Sequence, residues 1–241
     1  MRIPISCMTC SHDKNEPSFD THQAEPQDTG LYYLECPRGH RTVTCLQEQK
    51  FEVLFDMGAN AIVDGYPREA ITAFAASLER FFEFFISVIC AAHKIQEETF
   101  THSWKVLGNQ SERQLGGFVI AYLLEYGEEP RLLRQKTVEL RNSVVHKGKI
   151  PSREEAIGFG SEVLSLINPV LRRVKEILPE YVSTIVGRHV NKTHSNVSGD
   201  QKIQFMTIPT TISISRATSE PDQTLEQTLE RLTCQRRHGQ L

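Results

Sequence analysis

The stretch following Pro67 constrains this chain more than any other. Ile71, Phe74, Leu78, Phe81 or Phe82, Phe85, and Val88 or Ile89 recur at three- to four-residue spacing. That period lines them along one face of an α-helix. A stripe so rich in phenylalanine is stable only against other apolar surfaces, so the neighbouring segments must supply them.

They read as further helices. Leu46 to Gly65 is one, ended by Asp64-Gly65, with Pro67 suited to the first turn of the next. Ser111 to Tyr126 is another. A fourth opens at Pro130 and runs to His146, with Lys147-Gly148 as its stop. Ser152 is an N-cap with Glu155 three residues on, which opens a fifth. Its stripe is Phe159, Val163, Leu166 or Ile167, Val170, Val174, and Ile177 or Leu178. Pro169 and Pro179 should kink or split it. The fold class is mainly α: an up-and-down helical bundle over residues 47–190, with a small N-terminal zinc ribbon (1–46) and an irregular C-terminal tail (191–241).

The tail carries weaker signals. Asn191 to Asn196 reads as a linker. Lys202 to Arg216 alternates around Pro209, with Ile203 and Phe205, then Ile212 and Ile214. That pattern fits either a hairpin or a segment pairing with a partner's sheet edge. Leu225 to Leu232 reads as a short helix.

Composition sets limits. The chain has 241 residues and a formal charge of -3, so the molecule as a whole is no electrostatic nucleic-acid binder. Basic footprints are local, at Arg131 to Lys149 and at Arg172-Arg173-Val174-Lys175. The longest apolar run, Phe81 to Ala92, is interrupted by Glu83 and Ser87 and is too short to cross a membrane. The N-terminal residues show no apolar signal core, so a cytoplasmic protein is expected. There is no Walker-type loop, GxGxxG or H-E-x-x-H. Trp104, between Ser103 and Lys105, is a candidate exposed aromatic but carries no function by itself.

Three or four of the six cysteines crowd the first fifth of the chain. Cys7-Met8-Thr9-Cys10 is a C-x-x-C pair, and Cys36-Pro37-Arg38-Gly39-His40 follows. Two short loops with two soft donors each meet the tetrahedral demand of zinc. The second loop resembles a zinc-ribbon knuckle. The preferred ligands are Cys7, Cys10, Cys36 and His40. Cys45 in place of His40 stays open, and His12 and His22 are weaker substitutes. A full set of four protein ligands makes the zinc structural, with no catalytic metal expected. The plainer alternative is a set of unligated cysteines in a loose arm.

The end of the fourth helix carries the remaining chemistry: Arg141-Asn142-Ser143-Val144-Val145-His146-Lys147-Gly148. Asn142 and His146 are four apart and share a face, while Arg141 is turned about 100° from Asn142. Singly, each has an ordinary explanation. Arg141 could pair with Glu139 or Glu69, and His146 could meet the helix dipole.

Arginine, asparagine, three residues, histidine, then Lys-Gly at a helix end resembles the signature of HEPN domains. The stretch from Tyr66 through Phe84 resembles the long helix of such bundles. The resemblance covers residues 47–190. It implies a metal-independent endoribonuclease acting as a homodimer, with Arg141, Asn142 and His146 forming a composite catalytic site from two chains. It further implies an RNA substrate, 2',3'-cyclic phosphate and 5'-hydroxyl products, and a toxin-like role in prokaryotic defence or stress. A regulatory protein or antitoxin is an expected partner, and a membrane is not. The chemistry suits the residues. Histidine titrates near neutrality and arginine grips phosphate in a charged fork. Glu79, on the neighbouring helix, is a further candidate to face Arg141 or His146. The alternative is a non-catalytic module of the same kind that binds RNA or a regulatory protein. A purely structural dimerisation bundle is a third.

Overall fold

The computed structural model describes residues 1–10, 21–197 and 203–237. The chain is mainly helical, with a small strand region built around its N-terminal part. The central element is helix α2 (Pro67–Ala92), which packs against α1 (Lys50–Val63), α4 (Ser111–Tyr126), α5 (Gln135–Lys147), α6 (Arg153–Ile177) and α7 (Pro179–Ser195). Every stripe position of α2 is buried, Ile71, Phe74, Phe81, Phe85 and Val88 completely. The phenylalanines interlock with those of neighbours: Phe51 lies 5.4 Å from Phe81, Phe55 lies 4.7 Å from Phe74, and Phe118 lies 4.5 Å from Phe82. Such offset and edge-on contacts add to simple area burial. Gly65, at a φ of 81°, makes the left-handed turn that feeds Pro67 into α2.

Several boundaries differ from expectation. Helix α5 begins at Gln135, not at Pro130. Glu162 of α6 draws the entry tight: it accepts the backbone N–H of Arg134 at 2.7 Å, the Arg134 guanidinium, and the Thr137 hydroxyl at 2.7 Å. Residues 131–134 therefore run extended, as a wall beside the bundle. Helix α6 passes through Pro169 without ending, and only Pro179 starts a new helix. Ile167, Val170 and Leu171 around that proline are all buried, which offsets its missing hydrogen bond. The N-cap is as expected: Ser152 Oγ accepts from Glu155 N, and Glu155 accepts from Ser152 N. Helix α7 continues through Asn191 to Ser195, where a linker was expected, because Thr193 is buried against the strand region and His189 hydrogen-bonds the Leu46 carbonyl. Helix α3 (Glu97–Leu107) gave no clear sequence signal, since none of its side chains is fully buried.

The strands form two small sheets. Strands β1 (Ile3–Ser6) and β2 (Thr21–Ala24) pair antiparallel. Strands β3 (Leu31–Glu35) and β4 (Arg41–Leu46) form a hairpin, and β5 (Ile203–Met206) lies parallel to β4, with Val43 opposite Ile203. Here the tail pairs not with itself but with β4, as the edge strand of a three-stranded sheet. It completes the N-terminal sheet of the same chain. Lys202, where that expectation began, lies outside the described residues.

After β5 the chain runs along α1 and is held by three buried acids. Glu48 accepts the N–H of Ile208 at 2.8 Å, Asp56 that of Thr211 at 3.0 Å, and Glu52 that of Ile214 at 2.9 Å. Burial pushes all three carboxyls up, Glu48 to about 7 and Glu52 to about 8. Helix α8 (Leu225–Arg237) closes the bundle by burying Leu225, Leu229 and Leu232. No helix of the described residues is long and apolar enough to cross a membrane.

Candidate functional site

Two places hold chemistry. The first is at the N-terminus. Cys7 and Cys10 follow β1, and Cys36 and His40 bracket the turn between β3 and β4. That turn closes through Gly39 N to the Cys36 carbonyl at 2.8 Å and Cys36 N to the His40 carbonyl at 3.0 Å. Gly39 takes a φ of 79°, which a side chain would resist. The four donor atoms lie within 4.8 Å of one another, a grouping that can hold a metal ion. Cys10 Sγ is 3.6 Å from Cys36 Sγ and 3.2 Å from His40 Nδ1, and Cys7 Sγ is 3.7 Å from His40 Nδ1. Sulfurs at that spacing are not disulfide-bonded. Burial and the neighbouring thiols push Cys10 up to about 11. Burial also raises Cys36, but hydrogen bonds from the N–H groups of Arg38 and His40 and from the Cys10 and Cys7 thiols together bring it down to about 7.

The alternatives to this set fall elsewhere. Cys45 is fully buried on β4 among Leu31 and Val43, and burial raises its pKa. His22 stands opposite Ile5 in the β1–β2 pair and is not among the clustered donors. His12 lies outside the described residues. One supporting residue left no trace in the sequence. Gln204 of β5 accepts from Met8 N at 3.1 Å and donates to the Ser6 carbonyl at 2.9 Å. It thereby grips the backbone on both sides of Cys7.

The second place is a cleft of about 330 Å³ between α2, α4, α5 and the extended 131–134 segment. Its floor is apolar, with Leu78, Phe82 and Phe159, and its polar wall carries Glu79, Glu112, Arg141 and Asn142. Arg141 is the hub of that wall. Its Nη2 donates to Glu79 Oε1 at 2.8 Å and its Nη1 to Asn142 Oδ1 at 3.0 Å. Its partner is therefore Glu79 and neither Glu139 nor Glu69. Val144 anchors the helix from its buried side. His146 does not line the cleft. It stands exposed in the last turn of α5, which ends in Gly148 at a φ of 71°. The Glu112 carboxyl is held below the usual range, chiefly by its own backbone N–H and by the Ser111 hydroxyl. The charges of Arg141 and His146 add to that effect, so all three groups share one electrostatic neighbourhood.

One chain thus brings Arg141, Asn142 and Glu79 together and leaves His146 one turn away at the surface. No protein-family model, curated protein or solved structure matches this chain.

Proposed function

We propose that this chain is an endoribonuclease of the HEPN type that works as a homodimer, with Arg141, Asn142 and His146 as its catalytic residues. The observation that carries this reading is the Glu79–Arg141–Asn142 cluster on the wall of the α2–α5 cleft. A carboxylate and an amide hold the guanidinium in one orientation with two of its five N–H groups, and the other donors are available to a phosphate. His146 is exposed at the end of α5, where its imidazole is open to a substrate, which suits a proton carrier. One histidine serves poorly as base and acid together, so a second chain supplies the second His146.

An apolar stripe on α4 supports the dimer. Ile120, Leu123 and Leu124 are 56%, 43% and 75% exposed at positions i, i+3 and i+4. The same helix contributes Ser111, Glu112 and Leu115 to the cleft.

In the same reading, the cysteine cluster is a structural zinc site. Four ligands around zinc at about 2.3 Å to sulfur and 2.0 Å to nitrogen stand roughly 3.5–3.8 Å apart. The Cys10–Cys36 and Cys7–His40 spacings of 3.6 and 3.7 Å fall in that range, and the Cys10–His40 spacing of 3.2 Å is slightly shorter. A cellular role as a toxin-like effector in defence or stress follows from the family analogy alone.

The test is RNA cleavage by the purified dimer in EDTA. Wild type should cut, and His146→Ala and Arg141→Ala should each lose at least about a hundredfold in rate with unchanged melting. Equal rates for all three would overturn the assignment. A second reading, a non-catalytic module of the same fold binding RNA or a regulatory protein, is favoured by one observation: Glu79 already meets the charge of Arg141. Absence of cleavage by a confirmed dimer would select it.

A further inference from the structure

Helix α3 closes a second cleft, of about 330 Å³, against α1, α2 and α7. One of its walls is aromatic. Phe100 and Trp104 stack with centroids 5.7 Å apart and planes 20° from parallel, and both remain half-buried. The other walls carry Lys50, Arg80, Arg188 and Lys192. Arg188 and Lys192 are four residues apart and share one face of α7.

The charges do not cancel. Glu83 and Glu97 are the acids among the described lining residues, and they are engaged by Arg80 and Arg188. Lys50 pairs with Asp28, whose side chain is 90% exposed, and so wet a pair holds a lysine weakly. Lys192 makes no ion pair among the described residues. His189 also faces the cleft, but burial lowers its pKa, so it adds no charge near neutrality. Gln49 lines the cleft as well and keeps its Nε2 buried without an acceptor among the described residues.

A flat aromatic surface and an excess of cationic groups together describe one ligand chemistry. We propose that this cleft binds a nucleoside phosphate, its base against Phe100 and Trp104 and its phosphate among Lys50, Arg188 and Lys192. Bases of any identity stack on such surfaces, and paired cations on one helix face suit a phosphate group. Inorganic phosphate would leave the aromatic wall unused, and a cationic ligand would meet repulsion. The nucleoside phosphate can be a free nucleotide or one unit of an RNA strand.

The two clefts share helix α2, on which Glu79 faces one and Arg80 the other. Arg80 also hydrogen-bonds Gln114 of α4 at 3.0 Å. The inference does not rest on cleavage at Arg141, and the test separates them by using the full-length His146→Ala protein.

Trp104 is the only tryptophan of the chain, so its fluorescence reports on this cleft alone. The probes are AMP, inorganic phosphate and a 2'-O-methyl RNA hexanucleotide, which offers no 2'-hydroxyl to attack. The expected result is a saturable change with AMP or the hexanucleotide and none with phosphate. Response to AMP assigns a free nucleotide, and response to the hexanucleotide alone assigns a strand. Lys192→Glu, at an exposed position, should weaken binding at least about tenfold with unchanged melting. Arg237→Glu, exposed on α8, should bind as wild type does. No saturable change with either nucleotide probe in the millimolar range would overturn the proposal, as would Lys192→Glu binding as tightly as the parent.

Discussion

Replacing Gly160 by alanine tests the packing that sets the α2–α6 spacing and hence the cleft beside Arg141. In a helix interior, alanine is favoured over glycine by about 0.8–1 kcal/mol. Here the new methyl group would stand 2.6 and 2.8 Å from Cε2 and Cζ of the Phe74 ring and 2.8 Å from Leu225 Cδ2. The ring cannot swing clear. Gly58 of α1 boxes it from the other side, where a methyl group would lie 2.6 Å from Cε1. Overpacking of this kind costs about 1–3 kcal/mol. The net effect is a loss of about 0–2 kcal/mol, read by urea denaturation or as a fall of roughly 2–4 °C in Tm per kcal/mol. The decisive arm is the Phe74→Leu background, where the ring clash is gone and only the tip of the flexible Leu225 side chain has to give way. There Gly160→Ala should be neutral or stabilising, a reversal of sign that a double-mutant cycle reports. If Gly160→Ala stabilises the wild-type chain, the wedge described here is wrong.

Other perturbations have equally definite outcomes. Purified protein should contain about one zinc per chain, and Cys7→Ser should lose it; protein free of metal after chelator-free purification would contradict the ligand set. Metal loss should also expose residues 7–10 to limited proteolysis ahead of the helical core, because β1 stays paired with β2 while Gln204 holds the segment after it at Met8. Glu48 and Glu52 have pKa values raised from 4.5 to about 7 and about 8. The folded state therefore binds their protons more tightly than the unfolded chain does. Their contribution to stability is full below about pH 4.5 and is lost as pH rises through about 7 and 8. Melting followed across that window should show the decline, and Glu48→Gln with Glu52→Gln should flatten it; a slope unchanged in the double variant would refute the assignment.

Much of the helical layout was legible because burial repeats with the helix period. The α2 stripe, the α4 limits and the Ser152 cap follow from side chains that meet the core or the backbone locally. The failures share a cause: tertiary partners invisible to local pattern. Helix α3 turns only two aromatic side chains inward, so it shows no stripe. Residues 131–134 stay extended because Glu162, more than twenty-five positions later, claims the Arg134 amide. The tail reads as polar and irregular, yet it is fastened by three acids of the α1 region that look like surface charges in sequence. The cysteine spacing led directly to the clustered donors, since C-x-x-C and the glycine turn are local devices. At the end of α5 the spacing put Asn142 and His146 on one helix face, but Asn142 lines the cleft while His146 stands exposed one turn further on. Glu79, named as a candidate to face Arg141 or His146, meets Arg141, a contact sixty-two residues distant that spacing alone does not reveal.

The central claim concerns what Arg141, Asn142 and His146 do to RNA, and the chemical identity of the cut ends tests it most directly. RNA treated with the purified dimer in EDTA should carry 2',3'-cyclic phosphate and 5'-hydroxyl ends, and His146→Ala should produce none. Ends bearing 3'-hydroxyl and 5'-phosphate, or cyclic ends formed equally well by His146→Ala, would contradict it.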